Sequence, residues 1–388
     1  MTTLYLIRHA EAEGNLYRRI HGQYDSLITD NGYRQIAALE KRFADVPIDV
    51  VYSSDLFRTM TTARSITVPK GLPLHTRSDL RELSMGEWED RSFAGVDRSD
   101  RERMRLFLAS SPAFCAPGGE TLLEVRARGA RAILDIAAHH PDQTVAVFAH
   151  GTFIRNTLAE LTGVPPEDVG KMGHSDNTAV ACLEVEDGQA HIVYMNDNSH
   201  LPPELSTLAL QHWWKKEPKE RDVNLWFTQP ESRQDWAFYQ SCREEAWRNL
   251  YGQLDRYDGK GFLEEAQRVA KKHPKSLAIA MDRKEPVGLL QLDPERASGE
   301  KKGYISFLYL IPALRRKHCG VQLIGKAVSI YRPLGRESLE LVCSQANGPA
   351  LAFYEKYGFH RTGSTPGAYG PLYTMEKYIG YRQPGDAS

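Results

Sequence analysis

The 388-residue chain is predicted to fold as two units of different class. The first is α/β, with a doubly wound, mostly parallel sheet flanked by helices. The second is α+β, with a mixed, largely antiparallel sheet. Three observations predict this. Short apolar runs alternate with helical patterns up to about residue 200, the rhythm of strand–helix–strand units. From Val223 the pattern changes to two helices followed by clustered strands. The charge balance also reverses: residues 1–203 carry 21 basic and 28 acidic side chains, residues 204–388 carry 28 and 22.

In the first unit the expected strands are Thr3–Ile7, Val50–Ser53, Val145–Ala149, Ala179–Val185 and His191–Asn196. Helices are expected at Asn31–Phe43, Phe57–Ile66, Leu122–Ala138 and Thr152–Leu161. The runs at 4–7, 50–53 and 145–149 are nearly continuous in apolar residues, as strands covered on both faces are. Pro202-Pro203 and the charged stretch Lys215–Glu220 mark a boundary, because proline blocks regular structure and the charges favour solvent. Trp213 and Trp214 beside it are expected to cover a domain face. The units are therefore placed at 1–203 and 223–380, with a linker at 204–222 and a tail at 381–388. In the second unit Asn224–Thr228 precedes helices at Gln234–Leu250 and Gly261–Lys272. Strands follow at Leu277–Met281, Pro286–Leu292 and Gly303–Leu310, then helix Val321–Tyr331, strand Ser338–Cys343, helix Pro349–Tyr357 and strands near Phe359–Thr362 and Leu372–Tyr378.

Composition excludes several classes. Apolar residues make up 41% and charged residues 26%, as in globular proteins that stay in water. No apolar run approaches the roughly 20 residues that span a bilayer, and Met1–Ile7 reads as a strand rather than a signal peptide. Five scattered cysteines without a C-x-x-C pair argue against a disulfide framework or a zinc site. A cytoplasmic enzyme is expected, without membrane or nucleic-acid partners, since no concentrated basic stripe is present.

Four segments deliver phosphate- or proton-handling side chains where strands should end: Arg8-His9, Arg58, Glu82 and His150-Gly151. Ligands of doubly wound sheets bind outside the carboxyl ends of strands. Arg8 and Arg58 offer planar forks that match phosphate oxygens. Nearby guanidinium groups disfavour imidazolium, so one of His9 and His150 should be neutral and nucleophilic. Glu82 is the expected acid, titrating high enough to protonate a leaving alkoxide. No metal is required by this chemistry. Singly, each residue reads as an ordinary surface group. His21, His75, His139 and His140 are expected to be structural or exposed. Arg98, Arg101, Arg103 and Arg105 either roof the pocket or form a solvated helix face.

These residues sit within a longer pattern. It runs from Leu6-Ile7-Arg8-His9-Ala10-Glu11 through Asn15, Arg19, Gly22, Asp25, Thr29, Gly32 and Gln35. It continues with Ser53-Ser54-Asp55, Arg58-Thr59, Leu80-Arg81-Glu82, Gly86, Trp88, Pro117–Thr121 and Ala149-His150-Gly151 with Ile154-Arg155. Over residues 1–201 the chain resembles the histidine phosphatase superfamily, which includes the cofactor-dependent phosphoglycerate mutases. The resemblance implies a phosphoglycerate mutase-like fold and a metal-independent phosphomonoesterase acting on a small molecule. His9 would be the phosphorylated nucleophile, with Arg8, Arg58 and His150 binding the phosphoryl group, Asn15 and Gly151 assisting, and Glu82 as acid and base. The spacing around Glu82 resembles the phosphatase branch, and a mutase is the alternative. Leu27 replaces a usual proline and Ala149 a common serine.

In the second half, Ile311–Leu323 joins an apolar strand to an amphipathic helix through the basic loop Arg315-Arg316-Lys317. Such a loop at a helix N-terminus suits an anionic pyrophosphate. With Asn347-Gly348-Pro349-Ala350 and Phe353–Phe359, the segment resembles the GNAT family of acyl-CoA N-acyltransferases over about 223–380. This implies acetyl-CoA as cofactor and an amine as acyl acceptor. The cofactor would be held by the loop Arg315, Lys317, His318, Gly320 and Val321, by backbone groups of Leu308 and Leu310, and by Asn347. Tyr354 would protonate the departing thiolate. His318 stands where the family has a glycine. Glu340 and Asp293 are the candidates for a general base. A non-catalytic CoA-binding or docking module is the alternative to a bifunctional enzyme.

Overall fold

A computed structural model describes residues 1–212, 214 and 221–381. Trp213, the charged stretch Lys215–Glu220 and residues 382–388 lie outside the described residues. The chain divides into two compact units, one ending at Asp222 and the next beginning at Val223.

The first unit begins with β1 (Thr2–Arg8) and the short helix α1 (Glu13–Tyr17). Then come α2 (Asp30–Arg42), β2 (Val50–Ser54), α3 (Phe57–Lys70) and β3 (Leu74–Arg77). Helices α4 (Phe93–Ser99) and α5 (Arg101–Leu108) precede α6 (Leu122–His139), β4 (Thr144–Ala149) and α7 (Gly151–Leu161). The antiparallel pair β5 (Val180–Glu186) and β6 (Gln189–Asp197) closes the sheet, whose order is β3-β2-β4-β1-β5-β6.

β1, β2, β3 and β4 run parallel, so this half has the α/β class expected. Val145, Val147 and Ala149 of β4 pack into one apolar cluster and Ala146 and Phe148 into another. That two-sided burial is why the strand reads as a continuous apolar run. The capping box at Thr121, whose hydroxyl accepts from Glu124 N while Glu124 reaches back, starts α6 one residue before its first apolar position.

The segment expected as a linker from residue 204 is instead bonded into the first unit over its opening residues. Leu205 O accepts from Gln35 Nε2 at 2.7 Å, Ser206 Oγ donates to Asp176 at 2.5 Å, and Thr207 Oγ1 donates to Glu11 at 3.1 Å. Regular structure ends with β6 at Asp197, yet tertiary contact continues past Pro202-Pro203, because buried Asp176 and Glu11 need donors and find them there. Trp214, the described member of the tryptophan pair, donates its indole N–H to Leu208 O and stays 40% exposed.

The second unit comprises β7 (Trp226–Thr228), α8 (Arg233–Tyr251), α9 (Gly259–Lys272), β8 (Leu277–Asp282), β9 (Glu285–Asp293) and β10 (Lys302–Leu310). It continues with α10 (Val321–Tyr331), β11 (Ser338–Ser344), α11 (Gly348–Lys356), β12 (His360–Thr365) and β13 (Leu372–Tyr378). Its sheet order is β12-β13-β11-β10-β9-β8-β7, antiparallel except for β10 beside β11. That parallel pair is registered only from Lys302–Ile305 against Ser338–Leu341. Beyond Ile305, β10 shifts register against β9 and has no partner on its β11 side, so the two strands part. Among the described residues, no helix is long and apolar enough to cross a membrane.

Candidate functional site

Parallel register brings the first set together. Arg8 pairs with Ala149 and Ser53 with Phe148, so the carboxyl ends of β1, β2 and β4 share one sheet edge. The residues that follow, His9 and His150, have ring centroids 5.4 Å apart. Both are buried. His9 Nδ1 lies 2.7 Å from Ala10 O, and a carbonyl only accepts, so Nδ1 carries the proton and Nε2 keeps a free lone pair. Burial, then the Arg58 and Arg8 charges, hold the His9 imidazole well below its ordinary range, against a smaller opposing pull from Ala10 O.

His150 Nε2 lies 3.0 Å from Ser54 Oγ. That hydroxyl already accepts from Leu56 N, so its own proton is free for His150 Nε2. The ring's Nδ1 is buried and makes no bond within the protein, which leaves it as a donor for a ligand. Burial first, then Arg58, keep this ring neutral as well.

Arg58 is fully buried on the first turn of α3 and donates to Gly22 O at 2.8 Å and Tyr24 O at 2.9 Å. Burial lowers its guanidinium to about 10, with Glu82 and Asp25 opposing the shift, so it stays charged at neutral pH. Arg8 donates to Ser175 O, and its Nε, like that of Arg58, is buried without a partner. Gly151 makes room for it: a Cβ there would sit 3.1 Å from Arg8 Nε.

Glu82 reaches the start of α7. Its carboxylate accepts from Leu83 N at 2.9 Å, Thr152 N at 3.1 Å and Phe153 N at 2.8 Å. His150, the N-cap residue, offers no side-chain cap, so Glu82 serves the helix from outside. Asn15 caps α1 by accepting from Ala12 N at 3.1 Å, and its Nδ2 takes no part in that bond.

The sequence reading missed His21. Its ring stands edge-on to His9 at 5.9 Å between centroids. Burial and then Arg58 and Arg8 push it well below the ordinary imidazole range. Gly14 N donates to His21 Nε2 at 2.8 Å, and any Cβ on Gly14 would meet the ring at 2.3 Å. The glycine seven residues earlier is the signal that could have found it. His75 and His139 are exposed, and His140 bonds the Tyr52 hydroxyl, as structural residues do. Arg98, Arg101, Arg103 and Arg105 are exposed, with Arg101 and Arg103 paired to Asp97 and Asp100, a solvated helix face.

In the second unit the loop before α10 holds Arg316 at φ 64° and His318 at φ 55°, both left-handed. His318 and Lys317 are exposed; Gly320 and Val321 are buried. Arg315 is committed elsewhere, donating to Leu310 O at 2.9 Å and to Glu245 at 2.8 Å. Asn347 caps α11 through Ala350 N at 3.2 Å. Tyr354 is buried among Phe353 and Phe359, and burial pushes its phenol up, so it carries its proton at neutral pH. Leu308 and Leu310 lie beyond the point where β10 and β11 part. Glu340 and Asp293 do not: both register with Tyr304 in the paired end of the sheet. Glu340 is held by Lys302 at 3.1 Å, and Asp293 accepts from Glu295 N and Arg296 N.

Comparison with known proteins follows the same division. The model of the histidine phosphatase superfamily (branch 1) matches residues 4–198, and that of the acetyltransferase (GNAT) family matches residues 214–359. The chain is similar to putative phosphoserine phosphatase 2 of Hydrogenobacter thermophilus, at 29% identity over 52% of this chain and 98% of the relative. It is also similar to the probable phosphoglycerate mutase GpmB of Proteus mirabilis, at 32% identity over 42% of this chain and 77% of the relative. Among solved structures, YhfR of Bacillus stearothermophilus superposes with a TM-score of 0.50 at 28% identity, covering 52% of this chain and 99% of that one.

Proposed function

This chain belongs to the histidine phosphatase superfamily (branch 1), and from that membership we propose that its first unit hydrolyses a small phosphomonoester through a phosphohistidine at His9. The observation that carries the reading is the His9 ring: proton on Nδ1, lone pair on Nε2, burial and two guanidinium groups keeping it neutral.

The Nε2 lone pair attacks phosphorus and the ester P–O bond breaks. Arg8, Arg58 and the free Nδ1 donor of His150 take the charge on the equatorial oxygens, where most of the stabilisation is electrostatic. The ring becomes cationic on phosphorylation, and the Nδ1–H bond to Ala10 O fits that charge. Glu82 serves as the acid that supplies a proton to the leaving alkoxide. Its carboxylate then takes a proton from the water that breaks the P–N bond, releasing phosphate and neutral His9. Asn15 Nδ2 and the α7 N-terminus at Gly151 add donors. The curated relatives named phosphoserine phosphatase make phosphoserine the first substrate to try.

Phosphate release from phosphoserine and p-nitrophenyl phosphate tests this. Wild type should turn over and His9→Ala should not; equal rates would reject the nucleophile. Conversion of 3- to 2-phosphoglycerate without net phosphate release would make the unit a mutase instead.

For the second unit the reading is an acetyl-CoA-dependent N-acetyltransferase. Support comes from the gap between β10 and β11, the left-handed loop before α10 and the protonated Tyr354 phenol. The pyrophosphate would rest on backbone N–H groups from Lys317 to Val321 rather than on Arg315. A second reading, a CoA-binding module without turnover, is favoured by the Arg315–Glu245 pair, which removes one cation from the loop. Calorimetry with acetyl-CoA separates binding from its absence, and an amine panel separates turnover from mere binding.

A further inference from the structure

Tyr239, Arg243, Trp247 and Tyr251 recur at every fourth position of α8, so one helix face carries a cation set among aromatic rings. The Arg243 guanidinium stands 4.0 Å from the Phe307 ring centroid and 4.6 Å from that of Phe262. Its Nε donates to the Tyr239 hydroxyl at 3.0 Å and its Nη2 to Gln291 Oε1 at 2.8 Å. Neither acceptor carries charge. Among the described residues, no carboxylate pairs with Arg243, and its Nη1 makes no bond.

One turn further along, Trp247 Nε1 is buried and has no hydrogen-bond partner. Its ring lies 6.1 Å from Phe262 and 5.7 Å from Tyr257. A buried indole N–H ordinarily finds an acceptor, and a partly buried guanidinium ordinarily finds an anion. Here two donors gather around Phe262 and both lack one. Phe307 places them in the sheet: it follows the register shift after Ile305, where β10 leaves β11. Arg243 therefore stands beside the gap where β10 leaves β11, with Trp247 one helical turn away.

We propose that this face of the second unit is the acceptor subsite, and that the acceptor is an amine bearing a carboxylate and a ring-sized apolar body. The inference rests on reading the unit as an acyl-CoA N-acyltransferase. The carboxylate takes Arg243 Nη1 and Trp247 Nε1, while the apolar body lies against Phe262 and Tyr257. In the transfer the neutral amine nitrogen attacks the thioester carbonyl and the C–S bond breaks. The thiolate leaves and is protonated, and the amine gives up one proton. Polar anchors surrounded by rings give orientation as well as affinity, and leaving them unpaired penalises an analogue that lacks the anion.

The test is calorimetry on the full-length chain with two product analogues, N-acetyl-L-phenylalanine and N-acetylphenethylamine, which differ by the carboxylate. Acetyl-CoA is titrated separately. Wild type should bind the carboxylate-bearing analogue about 30-fold or more tighter. Arg243→Met should erase that difference while acetyl-CoA affinity stays the same, and Trp247→Phe, which keeps a ring, should weaken the carboxylate-bearing analogue alone by about 5-fold. Equal affinities in wild type, a preference that survives Arg243→Met, or no binding of either analogue at millimolar concentration overturns the subsite. No acetyl-CoA binding by wild type, with the carboxylate preference intact, would overturn the transferase reading and with it the acceptor role, leaving Arg243 and Trp247 as a carboxylate-binding site only.

Discussion

Mild acid should destabilise the first unit well above the pH at which carboxylates titrate. His9, His21 and His150 are buried and held well below the ordinary imidazole range, first by burial and next by Arg58. In the unfolded chain each returns to about 6.5. Between that value and the folded one, the unfolded state binds more protons than the fold, so stability falls as pH drops through 6.5 and these groups contribute no change well above it. For one imidazole that stays neutral in the fold, the loss from pH 6.5 to 5.5 integrates to about 1 kcal/mol. Three give about 3 kcal/mol, a large share of a typical stability of about 5–15 kcal/mol. Urea unfolding at the two pH values, with exchange of the β4 amides isolating the first unit, measures it. The comparison is with His21→Gln, whose amide oxygen can still accept from Gly14 N. That variant should lose about 1 kcal/mol less over the interval, and other titrating groups cancel in the difference. Identical losses in the two proteins would mean that His21 is protonated in the fold, and would refute the claim that burial beside Arg58 and Arg8 keeps these rings neutral.

Glu82→Gln should cost stability and turnover together: about 1–2 kcal/mol in urea unfolding, because a neutral amide replaces a carboxylate at the α7 N-terminus, and about 100-fold in kcat for phosphate release. His318→Gly should stabilise the second unit by about 0.5–1 kcal/mol, since the left-handed φ costs a side chain and not glycine, and acetyl-CoA affinity by calorimetry should hold or rise. Glu340→Gln should leave any acetyl-transfer rate within about 2-fold and lower stability by about 1 kcal/mol or less through the lost Lys302 contact.

Much of the first unit was legible because its parallel strands are buried on both faces and end abruptly. Val145–Ala149 announces a strand, and in a doubly wound sheet the residue after it must stand at the ligand edge, so His150 could be placed without coordinates. β3 was missed because Leu74–Arg77 is a four-residue edge strand with no fully buried residue and no apolar alternation. Helices α4 and α5 were legible only as one of two alternatives, a solvated helix face, because they bury few residues, Val96 and Met104. His21 was illegible for a different reason. It sits in an irregular segment, where no periodicity fixes direction, and it joins the site through a backbone N–H seven residues upstream.

The second unit shows where residue identity misleads and backbone geometry decides. A histidine at a family glycine position suggests a damaged pyrophosphate loop. Yet His318 adopts a left-handed φ of 55° and exposes its side chain, so the backbone takes a conformation that glycine favours, at a cost in strain. The neighbouring arginine misleads in the opposite sense. Arg315 looks like an ideal phosphate ligand, but Glu245 and Leu310 O have already engaged it. Among the described residues no carboxylate pairs with Arg243, which lies in a helix that reads from sequence as merely amphipathic. What distinguishes these two arginines is the partner each fold position supplies, and composition cannot report a partner. A cation paired with a carboxylate, as Arg315 is, holds the structure together, whereas one whose acceptors are all uncharged, as Arg243's are, is where the proposed acceptor's carboxylate would sit.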